Sequence, residues 1–159
     1  FLGRLLRRHT FAPETLPARE VRRLEVTLPM EKLFTSDAER KGAFVHYELR
    51  DARTKALITE LTDYAARTKE LRLPRTKVGD FTIKTTRRAG TLFIDIQSKT
   101  LLKDAYIDLG ETGWQLSDNF LDILPGRRYR LRATRRQNAP ARTTTALPTV
   151  TLRSITTAE

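Results

Sequence analysis

From Phe81 onward the chain alternates apolar and polar residues in short runs divided by turn signals, and this pattern restricts the fold more than any other feature. Phe81-Thr-Ile-Lys-Thr-Thr-Arg87 sets Phe81, Ile83 and Thr85 on one face. After a turn at Arg88-Ala-Gly90, Leu92-Phe-Ile-Asp-Ile-Gln97 places Leu92, Ile94 and Ile96 inward, with Phe93 and Asp95 outward. Lys103-Asp-Ala-Tyr-Ile-Asp-Leu109 aligns Ala105, Ile107 and Leu109, and Tyr129-Arg-Leu-Arg-Ala133 repeats the scheme. A period of two is the signature of a strand with one face in the core. Such runs at roughly 10-residue spacing predict an all-β antiparallel sandwich.

Between the last two runs lies Trp114-Gln-Leu-Ser-Asp-Asn-Phe-Leu-Asp-Ile-Leu-Pro-Gly126. Its apolar residues, Trp114, Leu116, Phe120, Leu121, Ile123 and Leu124, surround a polar knot, Ser117-Asp118-Asn119. Short polar side chains of this kind hydrogen-bond nearby backbone and bend the chain. Pro125-Gly126 adds a type II turn signal, with Pro at the second and Gly at the third position. The stretch therefore reads as a corner, a short buried run and a second corner.

The front of the chain is less regular. Leu2, Leu5, Leu6 and His9 follow a helical spacing that breaks at Phe11-Ala-Pro13. A single apolar face two turns long cannot fold alone, so it points to a larger neighbour. Pro13 and Pro17 bracket a linker. Val21–Leu28 reads as a strand ending at Pro29, and 31–40 as a short helical turn or loop. Ala43–Asp51 is a strand with Val45, Tyr47 and Leu49 on one face. It forms a hairpin with Leu57–Tyr64 through the turn at Asp51–Lys55. Leu71–Pro74 reads as a short edge segment, 137–142 as a loop, and Val150–Ile155 as a closing strand.

Chemistry is sparse along this pattern. Histidine occurs only at positions 9 and 46, without a partner at ligand spacing, and cysteine is absent. A zinc centre wants about four ligands, so no metal and no cofactor are expected, and His46 is expected to face solvent. No Gly-rich phosphate loop or serine elbow is present. Asp118 and Asp122 stand four apart, but nothing builds the pocket that would keep one carboxyl protonated. Asp118 is better explained as a backbone acceptor. No apolar run approaches the roughly 18 residues of a membrane helix, and Phe1–Arg8 is too short for the apolar centre of a signal peptide. The formal charge of +11 suggests an anionic partner. Its arginines are dispersed, however, and Arg128, Arg130 and Arg132 share one face of a strand whose Tyr129 points to the other. A nucleic-acid platform would interleave aromatics with the charges, so nucleic acid is disfavoured.

The corner run, Leu116-Ser-Asp-Asn-Phe-Leu-Asp-Ile-Leu-Pro-Gly126, resembles the C-terminal immunoglobulin-like domain of β-mannosidases of glycoside hydrolase family two. That domain carries Phe-Ser-Asp-Asn-(Tyr/Phe)-Phe-Asp-Leu-Leu-Pro-Gly. Asp63-Tyr-Ala-Ala-Arg-Thr-Lys-Glu-Leu-Arg-Leu-Pro74 is similar to the segment leading into it, and Ala105–Leu109 and Val150–Ile155 are similar to its strands. Leu5–Pro13 is similar to the end of the last barrel helix and its Phe-Ala-Pro linker. The resemblance implies an immunoglobulin-like sandwich over 67–159, preceded by a helix end and linker over 1–18. Between them, 19–66 would be a truncated Ig-like segment, because the family has a whole further sandwich there.

It also implies a non-catalytic accessory domain of an exo-acting retaining β-mannosidase, buttressing the barrel that holds the catalytic glutamates. No residue here inherits a catalytic role, and the chain alone is expected to be inactive. The structural corner residues are Ser117, Asp118, Asn119, Pro125 and Gly126. Barrel and sister domains are the implied partners, with no membrane, and the resemblance leans toward a periplasmic or secreted parent. Two alternatives remain open. One is a carbohydrate-binding module stacking sugars on Trp114, with Phe93 and Tyr106 as further candidates. The other is a basic domain binding anions or nucleic acid.

Overall fold

The computed structural model describes residues 3–6, 8–15, 17, 19, 30–136 and 147–157. Two compact units divide between Arg72 and Leu73. The strand expected over Val21–Leu28 and the loop at 137–142 lie outside the described residues.

In the unit spanning Arg4–Arg72, the described residues among 4–15 have no regular secondary structure. The helix suggested by Leu2, Leu5, Leu6 and His9 does not form there. Leu5 and Leu6 are 66% and 48% exposed, and two turns without a buried face cannot offset the cost of helix nucleation. Helices come later, as α1 (Met30–Leu33) and α2 (Asp37–Lys41). Ser36 caps α2 by accepting from the Glu39 amide, while the Glu39 carboxylate accepts from Thr35. The strands β1 (Phe44–Arg50) and β2 (Leu57–Tyr64) form the expected antiparallel hairpin. Asp51 closes its turn by accepting from the amides of Arg53 and Thr54. His46 is not solvent-facing as expected: its side chain is only 17% exposed, lying among side chains of the same hairpin face.

The second unit, which includes Leu73–Glu159, holds seven strands among its described residues. They are β3 (Phe81–Arg88), β4 (Thr91–Ser98), β5 (Leu102–Asp108), β6 (Trp114–Leu116), β7 (Leu121–Ile123), β8 (Arg128–Arg135) and β9 (Thr151–Arg153). One sheet runs β3-β4-β8-β6 and the other β7-β5-β9, with every ladder antiparallel. Alternation decides the core. Leu92, Ile94 and Ile96 of β4, Ala105 and Ile107 of β5, and Leu131 and Ala133 of β8 are buried together with Leu102, Leu109 and Ile123. Five of these inward positions come from β4 and β8, the two central strands of one sheet, and face the partner sheet.

Two elements are shorter than the sequence suggests. Leu71–Pro74 forms no strand, and the edge contact falls instead on buried Thr76, which bridges Thr157. β9 stops at Arg153 because Ser154–Thr157 folds into a turn held by its own hydroxyls: Ser154 Oγ donates to the Lys103 carbonyl at 2.6 Å, and Thr157 Oγ1 donates to the Ser154 carbonyl at 2.8 Å.

Candidate functional site

The corner segment carries the chain from one sheet to the other within three residues. Ser117 still belongs to the four-stranded sheet. Its amide donates to the Arg132 carbonyl at 2.7 Å, and its Oγ accepts the Arg132 amide at 3.0 Å. Asp118 is exposed and accepts the Asn119 amide. Asn119 then reaches β5 of the second sheet, where its Oδ1 accepts the Ile107 amide at 2.8 Å and its Nδ2 donates to the Ile107 carbonyl at 3.0 Å. A carboxamide thus satisfies both main-chain groups of a strand residue, in place of a neighbouring strand.

The second corner returns the chain. The Arg127 amide donates to the Leu124 carbonyl across Pro125 and Gly126, with Gly126 at φ +75°, the conformation a type II turn demands at its third position. The Gly126 amide bonds the Ser98 carbonyl at 2.7 Å, and Gln97 Nε2 donates to the Gly126 carbonyl. Tyr129, at the start of β8, accepts the Leu124 amide on its hydroxyl. A tyrosine hydroxyl bonded to backbone a few residues upstream is a hallmark of immunoglobulin-like sandwiches. The carboxylates beside the corner are engaged in holding backbone. Asp122 accepts the amide of Asp104, which sits at φ +50° in a bulge of β5, and Asp108 accepts the Gly110 amide.

Trp114 is half-buried and packs against the core. The guanidinium groups of Arg87 and Arg135 stand 5.8 and 5.2 Å from its ring centroid, so cations occupy the surface a sugar would use. Phe120, expected in the core, is 68% exposed at φ +58°. The backbone turns left-handed after Asn119, whose Oδ1 also accepts the Phe120 amide. That conformation costs a bulky residue about 1–2 kcal/mol. Outside, Phe120 meets Tyr106 at a ring-centroid distance of 5.1 Å and an interplanar angle of 34°. These two rings, with Asp104, Arg153, Ser154 and Ile155, line a shallow depression. Sequence alternation places Tyr106 outward; it gives no hint that Phe120 joins it.

The basic face of β8 also differs in detail from expectation. Arg128, Arg130 and Arg132 are exposed, but β4 brings Phe93 and Asp95 opposite Arg132 and Arg130. The Arg130 guanidinium lies over the Phe93 ring and pairs with Asp95. An aromatic therefore does share this face, supplied by the neighbouring strand.

Four strands packed on three, sealed by a tyrosine hydroxyl at the corner, define an immunoglobulin-like domain. Residues 73–158 match the model of the Ig-fold domain family Ig_mannosidase, and the chain belongs to that family. Residues 73–158 form an Ig-like domain of the kind found in β-mannosidases. Among solved structures, a crystal structure of the β-D-mannosidase from Dictyoglomus thermophilum shares the fold, with a TM-score of 0.51 at 18% identity. The match covers 72% of this chain and 13% of that chain. A comparison with curated proteins finds no match.

Proposed function

We propose that this chain is the non-catalytic, C-terminal immunoglobulin-like domain of an exo-acting, retaining β-mannosidase, where it buttresses the catalytic barrel and contacts the other domains of the parent. The observation that carries this reading is the corner itself. In a segment whose sequence resembles the family's motif, the polar side chains hold backbone across two sheets. The parent's hydrolysis of terminal β-mannose would rest on glutamates of the barrel. The isolated chain, incubated with a chromogenic β-mannoside, is expected to give the buffer rate. Deleting residues 73–159 from the full-length enzyme should lower its thermal midpoint. Turnover by the isolated chain, or an unchanged midpoint after the deletion, would overturn the proposal.

The exposed Tyr106–Phe120 pair favours carbohydrate binding as a second reading. Two tilted rings beside Arg153, Ser154 and Asp104 offer a pyranose an apolar face and hydrogen-bonding groups at its rim. Trp114 could serve in this way only if Arg87 and Arg135 moved off its ring. Titration with manno-oligosaccharides, followed by NMR, should move the Tyr106 and Phe120 ring signals saturably. Shifts confined to Trp114 would return the site to that residue, and no shift at either place would remove this reading.

A further inference from the structure

The β1–β2 hairpin brings together three side chains of types that ligate metals, His46 and Glu48 from β1 and Glu60 from β2. Alternation places His46, Glu48 and Arg50 on one side of β1. The register sets Thr62 opposite His46 and Glu60 opposite Glu48, so these residues share that side. His46 Nε2 lies 3.6 Å from Glu48 Oε1 and 3.4 Å from Glu60 Oε2. One ligand atom from each of the three residues falls within 4.8 Å of the others. A tetrahedral ion with bonds of about 2.0–2.2 Å to imidazole nitrogen and carboxylate oxygen holds its ligand atoms ~3.3–3.6 Å apart. Both histidine–carboxylate separations fall in that interval.

The surroundings match those of a ligand set. His46 Nδ1 lies 3.1 Å from Thr62 Oγ1. When that nitrogen carries the proton and donates to the hydroxyl, the Nε2 lone pair faces the two carboxylates. Arg50 Nε donates to Glu48 Oε2 at 2.9 Å, which turns Oε1 of the same carboxylate toward the histidine. Two glutamates directly opposite on a ladder repel each other, and a cation between them would relieve this. The side chains of His46, Glu60 and Glu48 are 17%, 27% and 32% exposed, sheltered yet open to an entering ion.

We propose that His46, Glu48 and Glu60 bind a divalent transition ion of the zinc class, leaving a fourth position for water. The nitrogen ligand separates this set from the all-oxygen shells of magnesium and calcium. Nothing in this proposal depends on the mannosidase reading, since it concerns only the hairpin.

The test uses the full chain, with Zn2+ titrated calorimetrically and Co2+ as a visible-absorption probe. One Zn2+ per chain should bind, and Co2+ should give the intense bands of a four-coordinate site. Glu60→Gln, close to isosteric, should abolish both signals while its circular dichroism stays native. His46→Ala should do the same, and Thr62→Val should weaken Zn2+ by roughly 10- to 100-fold. Absence of Zn2+ binding would overturn the site. Equal binding by wild type and Glu60→Gln, or binding of Mg2+ in preference to Zn2+, would overturn it as well.

Discussion

Asp95 on β4 and Arg130 on β8 face each other in register and meet through two hydrogen bonds, Arg130 Nε to Oδ1 and Arg130 Nη2 to Oδ2, each 2.8 Å. A bidentate pair of this kind fixes both position and orientation. The Arg130 hydrogen bonds hold the Asp95 carboxyl below its usual range, outweighing the opposing effect of burial.

That relationship has a pH signature. A carboxyl whose folded pKa is lowered contributes stability in full above its unfolded pKa, near ~4, and loses it as pH falls through the lowered value. Wild type should therefore lose stability more steeply than Asp95→Asn as pH drops below about 4. Asp37, Glu39 and Asp51 are lowered too, by hydrogen bonds within their own turns, so an acid limb should persist in the variant. Thermal midpoints of the two proteins across the acid range provide the comparison. Because Arg130 is 57% exposed, added salt should narrow the gap. Parallel curves for the two proteins would contradict the assignment.

Asn119→Ala should destabilise the sandwich by about 1–3 kcal/mol, since it strands both main-chain groups of buried Ile107. Asp118→Ala, two atoms of backbone away but exposed, should cost a small fraction of that. Chemical denaturation of the pair decides the matter. Equal effects would mean that the knot is a generic polar turn.

Tyr129→Phe removes the acceptor for the Leu124 amide while keeping the ring against the core. A loss of about 0.5–1.5 kcal/mol is expected. Faster hydrogen exchange at the Leu124 amide, with the middle of β4 unaffected, would tie the loss to that bond.

Phe120→Gly should leave the thermal midpoint unchanged or raise it. Glycine adopts the left-handed backbone freely, which recovers about 1–2 kcal/mol of strain. Against this stands a ring pair worth about 0.5–1.5 kcal/mol. The same variant should lose any oligosaccharide binding. A sharp fall in stability would show that the exposed ring supports the fold after all.

How much of this was legible in the sequence depended on how far apart the interacting residues lie. Leu92, Ile94 and Ile96 announced their burial because eight-residue strands such as β3 and β4 are long enough for alternation to show. Three-residue strands such as β6 and β7 carry no such signal. Ser117 and Asn119 were recognisable as bending residues, yet their partners Arg132 and Ile107 belong to different sheets, which no local pattern reveals. Left-handed backbone at Phe120 falls on a residue that does not favour it, beside an Asn119 whose side chain is committed to Ile107, and at Asp104 it accompanies a long-range bond to Asp122. Along the chain His46 has no partner at the spacing of a ligand motif. Alternation shows the hairpin, but only its register brings Glu60 across from Glu48.

The outer position of β3 has a further consequence. Of the strands that border the two sheets, β6, β7 and β9 are three residues long, too short to template an incoming chain. β3 is eight residues long, and its outward side carries Lys84 and Arg88. A second copy approaching that border would bring the same positive charges into register with the first. Part of the arginine and lysine excess thus sits where it would oppose self-stacking, and removing it should matter most where the protein is crowded.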